Sequence, residues 1–143
     1  IAQNAVQLQQ GTVMDLYPTI LSVAEVDAPK EYPLDGSDLK KLLKGKSDKQ
    51  HRDDFLMHFP HGEHRANYFT TYRKGDWKLV YYYNPDTTGE PSWKLYNLKE
   101  DPYEASDLAE KYPEQATSLI KLMKKRLTEE NALYPAYTPV TGS

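Results

Sequence analysis

Residues 68–98 constrain the fold more than any other stretch, because they spell consecutive strands with the turns written between them. Tyr68-Phe-Thr-Thr-Tyr-Arg73 and Trp77-Lys-Leu-Val-Tyr-Tyr-Tyr83 are β-branched and aromatic runs separated by Lys74-Gly75-Asp76, a short hairpin signal. Asn84-Pro-Asp-Thr-Thr-Gly-Glu-Pro91 is rich in turn formers, and Trp93-Lys-Leu-Tyr-Asn-Leu98 follows as another strand. The pattern predicts an antiparallel meander. Along 77–83 the pleat sets Trp77, Leu79, Tyr81 and Tyr83 on one face and Lys78, Val80 and Tyr82 on the other.

A meander must bury one of its faces. Upstream, Phe55-Leu-Met-His-Phe-Pro60 reads as a further strand, alternating Phe55, Met57 and Phe59 against Leu56 and His58. Downstream, Pro113 opens the longest periodic segment, with Ala116, Leu119, Ile120, Met123 and Leu127 at helical spacing. That stripe fits across one face of the sheet. The expected class is α+β: a four-stranded antiparallel sheet packed by a C-terminal helix and preceded by a short helical segment.

The preceding segment is Asp15-Leu-Tyr-Pro-Thr-Ile-Leu-Ser-Val-Ala24. It predicts a short helix with Asp15 as N-cap, a proline in the first turn, and Leu16, Ile20, Val23 and Ala24 on one side. Leu34-Asp-Gly-Ser-Asp-Leu-Lys-Lys-Leu-Leu-Lys-Gly45 predicts a turn, a short helix with Leu39, Leu42 and Leu43 inward, and a glycine C-cap. The polar run 46–54 marks the expected boundary, with 1–50 as one piece and 51–143 as the sheet subdomain.

Composition bounds the partners. A formal charge of −3 without a concentrated basic run argues against a nucleic-acid footprint. No apolar run approaches the roughly 20 residues that a membrane helix needs. The chain has no cysteine, so it holds no disulfide, thiolate zinc site or cysteine nucleophile. It begins at Ile1, which predicts a processed chain or a piece of something longer.

The densest polar cluster is His58, His61, His64 and Arg65, in or beside a glycine-containing loop between two strands. Three readings stand: a metal site of spaced imidazoles, structural or solvated histidines, and an anion- or substrate-contacting loop. Pro60 and Gly62 break the regularity a metal site would use. Arg65 favours the third reading, since a guanidinium beside imidazoles matches sulfate or phosphate oxygens. The residues offer no paired carboxylates for acid–base work, and so no catalytic residue. An alternative function is a non-enzymatic carbohydrate- or protein-binding module that uses Tyr81, Tyr82, Tyr83 and Trp93 as an aromatic surface.

Several stretches resemble the type I sulfatases, the formylglycine-dependent, alkaline-phosphatase-like sulfuric ester hydrolases. Asp15-Leu-Tyr-Pro-Thr-Ile-Leu, then Leu34-Asp-Gly-Ser-Asp-Leu and Leu42-Leu43-Lys-Gly45, are similar to the close of that family's large domain. Arg73-Lys-Gly-Asp-Trp-Lys-Leu79, Leu95-Tyr-Asn-Leu98, Asp101-Pro-Tyr-Glu104 and Leu108-Ala109 resemble its C-terminal subdomain in the same order. The family often has Pro where Lys40 or Lys41 stands and Asn where Asp107 stands. The resemblance implies that formylglycine and calcium belong to an N-terminal part preceding Ile1, and that the chain is inert alone. It further implies that His61, His64 and Arg65 contact a sulfated small molecule or saccharide, with no nucleic acid or membrane partner. A periodic consequence is that Leu16, Ile20 and Val23 lose their partner sheet, leaving them free for self-association. A periplasmic or secreted location fits the family.

Overall fold

The computed structural model describes residues 1–61, 68–84 and 88–136. They divide into two compact units, Ile1–Asp53 and Asp54–Ser143.

In the second unit, β1 (Asp54–Phe59), β2 (Phe69–Lys74), β3 (Trp77–Tyr82) and β4 (Ser92–Asn97) form one antiparallel sheet in sequence order. A two-residue turn joins β2 to β3, and its Gly75 adopts φ +58. A Cβ there would meet nothing within 4 Å, so the need for glycine is conformational rather than steric. The register carries Leu56, Tyr72, Leu79 and Leu95 into a single row across all four strands.

Helix α3 (Pro113–Glu129) closes over that row. Ala116, Leu119, Met123 and Leu127 are buried against Tyr72, Leu79, Tyr81 and Leu95, with Trp77 and Tyr83 at the margin. The predicted face thus meets the predicted stripe. Each fully buried Leu contributes about 1.5–3 kcal/mol. The helix starts on a proline whose missing N–H costs nothing in the first turn. It ends at Asn131, φ +52, where the N–H of Asn131 donates to Thr128 and that of Ala132 to Leu127.

In the first unit a 3-10 turn, Val13–Asp15, runs into α1 (Leu16–Val23), and α2 is the single turn Lys40–Leu43. Asp15 does not cap α1 as expected. Its carboxylate turns back to the Thr12 N–H at 2.6 Å and across to the Ser37 N–H at 2.7 Å. Leu42 is buried and Leu39 half-buried, but Leu43 is exposed, because a four-residue helix presents only one side chain squarely inward. Gly45, φ +74, ends α2 with its N–H on Leu42 and the Lys46 N–H on Lys41, the capping geometry that the glycine predicted. Along α1, Leu16, Ile20 and Val23 are 53%, 63% and 60% exposed.

Candidate functional site

An up-and-down sheet has two ends. The Gly75 turn occupies one, and the β1–β2 and β3–β4 connections share the other. Phe59, Phe69 and Tyr82 are successive cross-strand partners at the shared end. Phe59 and Phe69 stack with centroids 5.6 Å apart, and Phe69 and Tyr82 tilt together at 6.5 Å. His61 stands just beyond β1, exposed, its ring edge-on to Phe59 at 6.2 Å. His64 and Arg65 lie outside the described residues.

His58 is drawn away from His61 to the helix-covered face. Its Nε2 lies 2.6 Å from the Leu133 carbonyl oxygen, and its Nδ1 lies 2.7 Å from Thr70 Oγ1. Thr70, fully buried, is also 2.6 Å from the Tyr83 hydroxyl. A carbonyl only accepts, so Nε2 carries the proton; in the neutral ring Nδ1 then accepts from Thr70, whose oxygen accepts from Tyr83. Burial pushes the Tyr83 phenol up to about 12, against the opposing bond to Thr70, so it stays a donor. His58 is therefore structural, with both nitrogens spent. Among the described residues no group of three or more metal-ligating side chains is placed to hold an ion.

The aromatic-surface alternative does not survive the geometry. Tyr81 is buried beneath α3, with the Lys124 ammonium 5.5 Å from its ring centroid. Tyr83 is half-buried beside it, Tyr82 points to the opposite face, and Trp93 alone of the four is exposed. Tyr81, Tyr83 and Trp93 do share a face, Tyr81 stacking on Trp93 at 6.2 Å and meeting Tyr83 at 5.2 Å, but Tyr81 is buried, so the four rings form no common exposed platform.

Two polar centres escaped the sequence reading. Asp15 is fully enclosed, and its Oδ1 also lies 2.5 Å from Arg52 Nη2. Burial pushes this carboxyl up, but bonds from the Ser37 and Thr12 N–H groups, then from Arg52 and the Thr12 hydroxyl, outweigh it and hold it below the usual carboxylate range. Gly36 makes this approach possible, since a Cβ there would fall 2.0 Å from the Met14 carbonyl oxygen. The Asp-Gly-Ser run was a signal for a turn, not for its carboxylate partner. The second centre is Asp107, whose Oδ1 accepts the N–H groups of Leu95 and Ala109, each at 3.0 Å. It seals the edge of β4, while Leu108 N–H donates to the Leu95 carbonyl and Glu104 pairs with Lys78 at 2.6 Å.

The family model for N-sulphoglucosamine sulphohydrolase, C-terminal, matches residues 1–132. The chain belongs to this family. An uncharacterized sulfatase of Schizosaccharomyces pombe is 32% identical over 120 residues, 77% of this chain and 20% of that protein. A sulfatase of Formosa agariphila is 32% identical over 129 residues, 82% of this chain and 22% of that one. The chain thus spans about a fifth of the length of these curated relatives. A structure solved with its substrate, D-glucosamine-2-N,6-O-disulfate, superposes with a TM-score of 0.65 at 25% identity, over 82% of this chain and 24% of that chain.

Membership in the sulphohydrolase C-terminal family gives the motif residues their meaning. The four-stranded sheet with its C-terminal helix is the C-terminal fold of sulfatases. Asp107 is the lock on β4 described above, and Glu104, which closes the Asp101-Pro-Tyr-Glu104 run, is the partner of Lys78. An asparagine at position 107 would offer the same oxygen that Asp107 gives the lock. The calcium and formylglycine that the family implies find no fit among the described residues: no acidic cluster is assembled, and no Ser is followed by x-Pro-x-Arg.

Proposed function

We propose that this chain is the C-terminal part of a sulfuric ester hydrolase acting on a sulfated saccharide, with residues 1–50 closing the large catalytic domain and 51–143 forming the subdomain beside it. The observation that carries this is the family match over residues 1–132, by a chain that covers about a fifth of the length of relatives named sulfatases. The relative solved with a disulfated glucosamine supports the substrate class. The compact units Ile1–Asp53 and Asp54–Ser143 support the division.

In this reading His61, His64 and Arg65 reach the substrate from the β1–β2 connection. Sulfate oxygens accept bonds from a guanidinium fork and from imidazole N–H groups. The nucleophile and the calcium sit on the N-terminal part. The exposed Leu16, Ile20 and Val23 on α1 are the face which that part covers, since a contiguous apolar stripe of this kind is otherwise costly to leave in water.

The test uses the whole natural protein and sulfated glucosamines. Arg65→Ala lowers kcat/KM about 10- to 100-fold, the loss that removing a charge-assisted bond produces. Unchanged kcat/KM removes the loop from the site. Failure of the whole protein to cleave any sulfate ester removes the hydrolase reading itself.

A further inference from the structure

At the end of the sheet that carries the Gly75 turn, a cleft of about 260 Å³ opens between the start of β3, the β4–α3 connection and the residues leading into α3. It is smaller than the roughly 300–1,000 Å³ of sites for drug-sized ligands, and so suits a single ring-sized unit. Trp77 and Tyr112 form its apolar wall, their rings edge to face at 5.3 Å. Around them stand Asn97, Glu100, Ser106 and Lys111.

The backbone has already spent part of these polar groups, which fixes their positions. Asn97 Oδ1 accepts the N–H groups of Lys99 and Glu100, and Asp101 Oδ2 accepts that of Ser106 at 2.9 Å. Asn97 Nδ2, the second Asp101 oxygen, the Ser106 hydroxyl and the Glu100 carboxylate keep their capacity, with no partner among the described residues. A wall of aromatic carbon beside interleaved donors and acceptors matches a pyranose, whose C–H face packs on rings while its vicinal hydroxyls both give and accept bonds. Two carboxylates against the one ammonium of Lys111 disfavour an added sulfate.

We infer that this cleft binds an unsulfated sugar unit, neutral or amino. The hydrolase reading is not needed for it, because binding is measured directly. Saturation-transfer NMR on the whole natural protein, with methyl glucoside, glucosamine and glucosamine 6-sulfate, tests it. Pyranose protons of the two unsulfated sugars receive saturation, with Kd of order 1–10 mM. Glu100→Gln and Tyr112→Ala each weaken that binding about fivefold or more and leave the sulfated sugar unaffected. Tyr112 packs on Trp77, so the exposed Glu100→Gln variant guards against a loss caused by misfolding. Unchanged affinity in Glu100→Gln and Tyr112→Ala overturns the proposal. So does an absence of binding below about 50 mM, weaker than roughly −2 kcal/mol.

Discussion

His58 Nδ1 lies 2.7 Å from Thr70 Oγ1, across the strand pair that leads into and out of residues 60–68. Because Thr70 also meets the Tyr83 hydroxyl, one buried oxygen holds two half-buried partners. Thr70→Val keeps the shape and removes that oxygen. It should destabilise the sheet unit by about 1–3 kcal/mol, the penalty for stranding buried polar groups. Thr70→Ser should cost far less. Urea unfolding of both variants checks the contrast, and equal losses would show that the methyl group, not the hydroxyl, matters there.

The Asp15 centre has a pH signature. Its folded carboxyl titrates below the ordinary 3.8, so the folded state favours the charged form. The resulting stability is fully present above 3.8 and is lost as pH falls through the lower folded value. Asp15→Ala takes the carboxylate from Arg52, which keeps the Asp35 carbonyl and the Thr12 hydroxyl, and leaves the Thr12 and Ser37 N–H groups without it, and should cost about 3 kcal/mol at neutral pH. Asp15→Asn should flatten the acid limb of the stability curve. A curve with an unaltered acid limb in Asp15→Asn would assign that limb to other carboxylates.

Periodicity made the sheet and its helix legible: the two-residue alternation of β3 and the stripe on α3 name the faces that meet. What it could not supply were contacts between residues far apart in sequence. Asp15 reads as a helix cap because caps are local, yet its partners Ser37 and Arg52 are 22 and 37 residues away. His58 belongs to a histidine run in sequence and to a tyrosine in space. Its loss from the candidate site follows from strand direction, which turns it onto the face opposite Phe59. The Trp77–Tyr112 cleft was equally hidden, since it needs β3 and the start of α3 side by side.

Asp107 holds the edge of β4 through one carboxylate oxygen. Only its Oδ1 is engaged, and an amide oxygen serves the same two N–H donors. Asp107→Asn should therefore change stability by no more than about 0.5 kcal/mol. Asp107→Ala frees the Leu95 and Ala109 N–H groups at the edge of β4 and should cost about 1–2 kcal/mol. Hydrogen exchange at the Leu95 amide separates the cases: protection stays in Asp107→Asn and drops in Asp107→Ala. Retained protection in Asp107→Ala would assign the edge to the Leu108 bond alone.

Helix α1 offers a comparison between this chain and the whole protein. Ile20 is 63% exposed here, so Ile20→Asp removes apolar surface that already faces water. In the 143-residue chain the change should leave stability within about 0.5 kcal/mol and reduce self-association, read by sedimentation. In the whole protein the same carboxylate would be forced into a covered apolar contact without a partner. That costs several kcal/mol, a drop of many degrees in Tm, unless the contact opens. An equal and small effect in both forms would mean that the N-terminal part leaves this face of α1 uncovered.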